Sequence, residues 1–404
     1  MLCDPERGTV AVLVAVLFGS GLLLGAAALT VDVGSINAER RQLQNGADAA
    51  SLAAAQLCAD GICPSASTPE IIDLANANAA DANTNVQRID PTQPAICGSD
   101  PKGVLPGCTV LSPAVTDLSE CPPATIPTGA KGWVRVYTKT RMTDGTTILP
   151  YYFAQTLTGA STGSTQQTCA STAWGPVGNY GTVVPIAISV CQWELFTKPV
   201  PPSTDPVYQT APDGTKPGYY NSPGTPVWPP STAEQKVMIQ KDDSGCLLAN
   251  GHASPGGFGW VTDGSGCSLT ATAGQWVNVN TGSSVKCDLT NYWHSAVMIP
   301  VFDCISGTDP PGGEPDCTNP SKGGTQTNFR IVGYASFYLS GYSFGNCGGV
   351  GTATSACEPA HWGSTCTASQ ACLFGWFTKG TLSDSPIGDG SGKDYGISAI
   401  QILN

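Results

Sequence analysis

The sequence predicts an α+β protein: a long N-terminal transmembrane and stalk helix, followed by a β-rich, disulfide-rich extracytoplasmic domain. Three observations predict this. Gly8 to Val31 is an uncharged run of 24 residues. From Asp32 to Cys58 small apolar residues recur at helical spacing, interrupted only by Gly34 and Gly46. Beyond Lys131 short β-branched and aromatic runs alternate with Gly- and Pro-rich turns.

The uncharged run, GTVAVLVAVLFGSGLLLGAAALTV, is bracketed by Arg7 and Asp32. At ~1.5 Å per residue it extends roughly 36 Å, enough to cross a hydrocarbon core of about 30 Å with some tilt. Gly19, Gly21 and Gly25 would weaken a soluble helix, but small residues in a bilayer let helices approach closely. A cleavable signal peptide fits the three alanines at 26–28, yet the preceding MLCDPER carries two acids against one arginine. A prepilin leader cut at Gly8 needs an acid near the fifth residue beyond, where Leu13 stands. Residues 8–31 therefore read as a retained membrane helix, with 1–7 as a cytoplasmic N-terminus.

Cysteine placement sets the orientation. Of 17 cysteines, Cys3 alone precedes the apolar run. Cys58, Cys63, Cys97, Cys108, Cys121, Cys169, Cys191, Cys246, Cys267, Cys287, Cys304, Cys317, Cys347, Cys357, Cys366 and Cys372 all follow it. An even set on one side and a single thiol on the other match a boundary between oxidising and reducing compartments. No CxxC pair occurs and only three histidines exist, so disulfides rather than zinc are expected. Proximity pairs Cys58 with Cys63 and Cys246 with Cys267; the remaining connectivity is open. The arginines nearly balance across the span, so the cysteines decide. The chain is single-pass in the cytoplasmic membrane, its N-terminus inside and its C-terminal domain extracytoplasmic.

The formal net charge of −12 argues against nucleic acid as a partner, since that needs a basic stripe. It also argues against electrostatic adsorption to anionic lipid.

Past the membrane the helix continues as a stalk over 32–58. Ile36, Leu43, Ala47, Ala50, Ala54 and Leu57 fall on one face, and Glu39, Arg40, Gln44, Asp48 and Ser51 on the opposite one. Such a small-sided stripe either packs on its own domain or docks similar helices, including a second copy. Residues 59–130 form a Cys- and Pro-rich segment with one helix, capped by Thr68 and Pro69 and running to about Asn83. Residues 131–404 are expected as one β-rich domain with a Pro-rich insertion at 199–231. Its strands are WVRVYTKTRM and TTILPYYFAQTL as a hairpin, TVVPIAISVCQWEL as a buried strand, then 235–240, 276–280, 295–304, 329–344, 372–378 and 397–402.

The segment ERGTVAVLVAVLFGSGLLLGAAALTVDVGSINAERRQLQNGADAASLAAAQLC resembles the N-terminal signature of the Flp (tight adherence) pilus-assembly TadG-like family. The elements that carry the resemblance are ERG, the Gly- and Ala-rich span, VDVG and RRQLQNGADAASLAAA. Later stretches such as PIAISVCQWEL, MIPVFDCISG, FRIVGYASFYLSGY and CLFGWFTKG are similar to the body of actinobacterial-type members. The resemblance implies a membrane-anchored accessory protein of surface pilus assembly, with other assembly proteins as partners, and it brings no catalytic residues.

The residues themselves offer no catalytic constellation either. His252, His294 and His361 share no metal-ligand spacing, and no nucleophile elbow lies outside the membrane. Glu194, Asp288 and Asp303 are the carboxylates a glycosidase would need, though acids at strand ends are usually solvated. Asp263-Gly-Ser265-Gly-Cys267 departs from the DxSxS metal motif of longer relatives at its last position. Asp384, Asp389, Ser391 and Asp394 lack the Gly and Glu of a calcium loop. No cofactor, metal or catalytic residue is therefore expected. The rival non-catalytic reading is a surface adhesin or glycan binder using loop aromatics: Trp228, Trp260, Trp276, Trp293, Trp362, Tyr219 and Tyr220.

Overall fold

The computed structural model describes residues 6–65, 68–79, 83–108, 124–153, 163–209 except 183 and 185, 228–238, 243–247, 253–254, 258–261, 269–280, 288–306, 317, 327–344, 357–367, 371–383, 385–388 and 392–403. Most side chains before Thr30 lie outside that description. The chain divides into two units. The first comprises residues 1–125, 133–172 and 402–404, the second 126–132 and 173–401. The expected single domain over 131–404 is thus split, and its first strands belong with the N-terminal helix.

Helix α1, Glu6–Ala59, is one uninterrupted helix of 54 residues, as its lack of proline and of a stop signal requires. Among the described residues no helix is long and apolar enough to cross a membrane. Most side chains of the expected span over 8–31 lie outside the described residues.

In the first unit α1 is joined by α2, Pro69–Ala77. Helix α2 stops before the expected Asn83 because Asn78 turns the chain, its amide donating to the Leu74 carbonyl at 2.9 Å. The Asn76 side chain then accepts the Thr84 backbone N–H at 2.8 Å. The strands are β1 (Thr84–Asn85), β2 (Ile96–Ser99), β3 (Gly132–Thr140), β4 (Leu149–Pro150), β5 (Gly163–Ser164) and β6 (Gln167–Pro176, in this unit up to Thr172). Strands β1 and β2 lie antiparallel to β3, whose other edge meets β6. The pattern of large apolar residues does not reveal β6. Its buried positions include Ala170, Ser171 and Thr172, which are small.

Within the described part of TTILPYYFAQTL, residues 146–153, only Leu149–Pro150 is a strand, paired with Gly163–Ser164, and Tyr152 and Phe153 are exposed; the rest of the expected strand lies outside the described residues.

The second unit runs β7 (Asn179–Thr182), β8 (Ile186–Ser189), α3 (Val190–Phe196), β9 (Gln235–Met238), β10 (Asp243–Leu247), β11 (Ala253–Ser254), β12 (Phe258–Val261), β13 (Leu269–Thr272) and β14 (Trp276–Asn280). It continues with β15 (Ser295–Ser306), β16 (Thr327–Phe344), β17 (Cys357–Glu358), β18 (Ala371–Thr378), β19 (Gly380–Leu382) and β20 (Ile397–Leu403). The buried strand expected over TVVPIAISVCQWEL ends at Ser189. There the Ser189 hydroxyl accepts the Gln192 N–H at 3.2 Å and starts α3, an N-cap overriding the apolar run.

The main sheet has the order β14-β12-β8-β15-β16-β18-β9, and β14 also pairs with β16. That second pairing closes β14, β12, β8, β15 and β16 into a ring. Ala187, Val261, Phe302, Ile305, Phe329 and Ile331 form one buried cluster on these ring strands, with the Phe302 and Phe329 rings stacked at 3.8 Å. A larger cluster includes Ile186, Ile188, Val297, Ile299, Val301, Phe337 and Leu339 of the sheet together with Trp193 of α3.

Disulfides join Cys58–Cys63, Cys97–Cys108, Cys304–Cys317 and Cys366–Cys372, and Cys169, Cys191 and Cys357 are also bonded. Of the pair expected between Cys246 and Cys267, the Cys246 side chain and all of Cys267 lie outside the described residues, as do Cys121, Cys287 and Cys347.

From Gly46 to Cys58 no residue of α1 is exposed, whereas Asn37, Ala38, Arg41 and Asn45 upstream are. Ala50→Leu should therefore lower the urea midpoint of the first unit by the equivalent of about 1–3 kcal/mol, the usual effect of overpacking. Asn45→Leu should move it by less than about 0.5 kcal/mol, as for an ordinary surface position. Equal midpoints for the two variants would contradict an enclosed helix.

Candidate functional site

The residues of the expected contact face lie along α1, and the structure shows how they are packed. Leu43, Ala47, Ala50 and Ala54 of the expected contact face are 0–1% exposed, while Ile36 and Leu57 are half-buried. Their cover comes from the chain's own first unit. A Cβ placed on Gly46 would stand 3.0 Å from the Ala75 carbonyl of α2 and 3.6 Å from the Thr84 side chain. On β3, the Thr138 hydroxyl donates to the Leu43 carbonyl at 2.9 Å. Of the two readings open for this stripe, packing on its own domain is the arrangement found at 43–54.

The opposite face is not the solvated surface its polarity predicts. Glu39 and Ser51 are buried, and Arg40, Gln44 and Asp48 are half-buried. Strand β6 and the loop before it run along this side. Arg40 Nε donates to Gln166 Oε1 at 2.9 Å, and Gln44 Nε2 donates to the Cys169 carbonyl at 3.2 Å. The Ser51 and Thr172 hydroxyls share a hydrogen bond of 2.8 Å. At the head of this ladder Asp32, 4% exposed, accepts the backbone N–H groups of Tyr152 at 2.8 Å and Phe153 at 3.1 Å. VDVG and RRQLQNGADAAS thus supply polar rungs at Asp32, Arg40, Gln44 and Ser51. Each rung gives a backbone or side-chain group of the strands or loops a partner that burial would otherwise remove.

Asp48 shows the strain in that scheme. Burial pushes its carboxyl above the ordinary aspartate value, and the hydrogen bond from Gln44 Nε2 at 2.9 Å partly offsets this.

Among the described residues the loop aromatics do not assemble an open stacking platform. Trp228 lies flat on His361 at 3.4 Å, with Tyr338, Trp376 and His294 edge-on at 5.7–6.3 Å. Trp293 packs against His294 at 4.2 Å, and its indole N–H donates to the Ser340 carbonyl. Trp362, 43% exposed, adjoins His361 edge-on, and Trp276 is half-buried on β14. Glu234 ties the surrounding loops, accepting from the Ser340 and Ser364 hydroxyls at 2.5 Å each and from the Trp362 N–H. The cluster is thus a small internal core in which histidines serve as flat rings. The side chain of Trp260 and all of Tyr219, Tyr220 and His252 lie outside the described residues.

The three candidate carboxylates are already committed or exposed. Asp303 makes a bidentate pair with Arg330 at 2.6 and 2.9 Å. Asp288 accepts the Thr290 hydroxyl and N–H, which hold its carboxyl below the usual range, the opposite of a general acid's requirement. Glu194 is exposed on α3. Asp394 pairs with Lys131 at 2.9 Å, while Asp263, Ser265, Cys267, Asp384, Asp389 and Ser391 lie outside the described residues. Among the described residues no group of three or more His, Cys, Asp and Glu side chains is placed to hold a metal.

The site so defined is a polar-laddered, small-residue helix seated in its own β-unit. Residues 8–57 match the family described as putative Flp pilus-assembly TadE/G-like, over nearly the same residues as the resemblance read from the sequence. No curated protein and no solved structure matches the chain.

Because the Asp48 carboxyl titrates above its ordinary value of 3.8, the folded state holds a proton that the unfolded state releases. Stability is therefore lost as pH rises from that ordinary value through the raised one. Asp48→Asn, which keeps an acceptor for Gln44, should be more stable than the parent at pH 7. The difference in thermal midpoint should shrink toward zero as pH falls to about 4, set by the loss of the charged form. A gap that does not vary with pH would contradict the burial of that charge.

Proposed function

We propose that the protein is a non-enzymatic, membrane-anchored accessory component of Flp-type pilus assembly or anchoring at the cell surface. The family match over 8–57 carries this reading, because it coincides with α1 and its conspicuous polar residues are the rungs that seat the helix. In this reading residues 8–31 cross the cytoplasmic membrane once, with Cys3 inside and the two β-rich units outside. The uncharged run supports the crossing, and the bonding of the described cysteines beyond it supports the oxidising side.

Association with other assembly proteins, or with a second copy, then falls to the part of α1 that is not enclosed. Among the described side chains of the stalk that part includes the exposed stripe of Asn37, Ala38, Arg41 and Asn45. The β-rich units act structurally, as a body displayed at the surface, and require no cofactor.

Deleting the gene should reduce the number or the surface attachment of pili, and the full chain supplied in trans should restore them. Pili unchanged in number, length and attachment would overturn the reading.

A further inference from the structure

The loop after β3 turns apolar surface outward at the point where the apolar run of α1 ends. Ile148, Tyr152 and Phe153 are 48, 62 and 44% exposed, and Val31 and Val33, flanking Asp32 on the helix, are 49 and 52% exposed. Pro150 between them is exposed as well. Apart from Trp362, Tyr152 and Phe153 are the exposed aromatic residues among those described. Large apolar side chains left together on a surface mark a contact with something apolar.

The position of this loop is fixed. The Asp32 carboxylate receives the Tyr152 N–H on Oδ1 at 2.8 Å and the Phe153 N–H on Oδ2 at 3.1 Å. Asp32 is itself 4% exposed, so the first charge after the uncharged run is sheltered by the loop it holds. An acid at that level would otherwise be expensive to place against lipid.

We propose that residues 148–153 form an interfacial collar that rests on the bilayer where α1 leaves it, a second membrane contact beside the span. The proposal depends on the reading that 8–31 cross the membrane. Its occupant is the boundary between acyl chains and headgroups, where tyrosine and other amphipathic rings concentrate. Headgroup charge is not the attraction, because the chain carries a net charge of −12. The collar would fix the first unit's height and tilt on the membrane, since Asp32 couples loop and helix rigidly.

The test uses the full chain, with Cys3→Ser, reconstituted into vesicles of phosphatidylcholine and phosphatidylglycerol. Nitroxide labels are placed singly at Ile148→Cys, which leaves both aromatic rings in place, at Asn45→Cys and at Val16→Cys. Collision with oxygen, which concentrates in lipid, is compared with collision with a water-soluble nickel chelate. The label at 148 should show an oxygen-to-nickel ratio several-fold above that at 45, and below that at 16. A ratio at 148 equal to that at 45, with 16 still in lipid, overturns the collar and leaves the anchor standing. Shielding of 148 from both reagents points to a protein cover and also overturns it. A water-accessible 16 removes the span, and the collar with it.

Discussion

An alanine-rich helix can be enclosed only by surfaces that approach it closely, and that constraint organises the first unit. With few atoms beyond Cβ, the residues from Gly46 to Cys58 gain little unless the neighbouring backbone comes near. The neighbours comply by being small as well: Ala75 on α2 and Thr172 on β6. Hydrogen bonds from Arg40, Gln44 and Ser51 replace the interlocking of large side chains with fixed polar register. Asp32 extends the same device to the loop at 152–153. Removing a single partner would leave a buried donor or acceptor unsatisfied, which is why such ladders specify one arrangement strongly.

The sequence shows most clearly what large apolar residues dictate. The long strands β15, β16, β18 and β20 lie within a few residues of where their β-branched and aromatic runs place them, and α1 is as continuous as its composition requires. Legibility fails where side chains are small or where one polar residue decides. Strand β6 carries Thr, Cys, Ala and Ser, with no run of large apolar residues to announce it. Ser189 converts an apolar run into strand plus helix through a single cap. The division into units was hidden because β3 and β6 belong with a helix many residues earlier in the chain, a pairing no local pattern records.

On α1 the small-residue stripe was legible in the sequence, and the surroundings of the polar side were not. Glu39, Arg40, Gln44, Asp48 and Ser51 fall on a polar face, and a polar face ordinarily meets water. Here it meets strand backbone and hydroxyls, which periodicity cannot distinguish from solvent. The loop tryptophans show the reverse error. Trp228 and Trp293 look available beside Gly and Pro, yet rings from β16, β18 and the 361 loop surround Trp228. In the structure both tryptophans pack against neighbouring rings.

The segment after Asp32 is the centre of a folded unit, with residues 6–31 continuing from it as the same helix. Amide hydrogen exchange over residues 46–58 in the full-length protein tests this most directly. Exchange governed by global unfolding of the first unit, as slow as in β3, is the predicted result. Exchange within seconds, as in a free solvated helix, would contradict it.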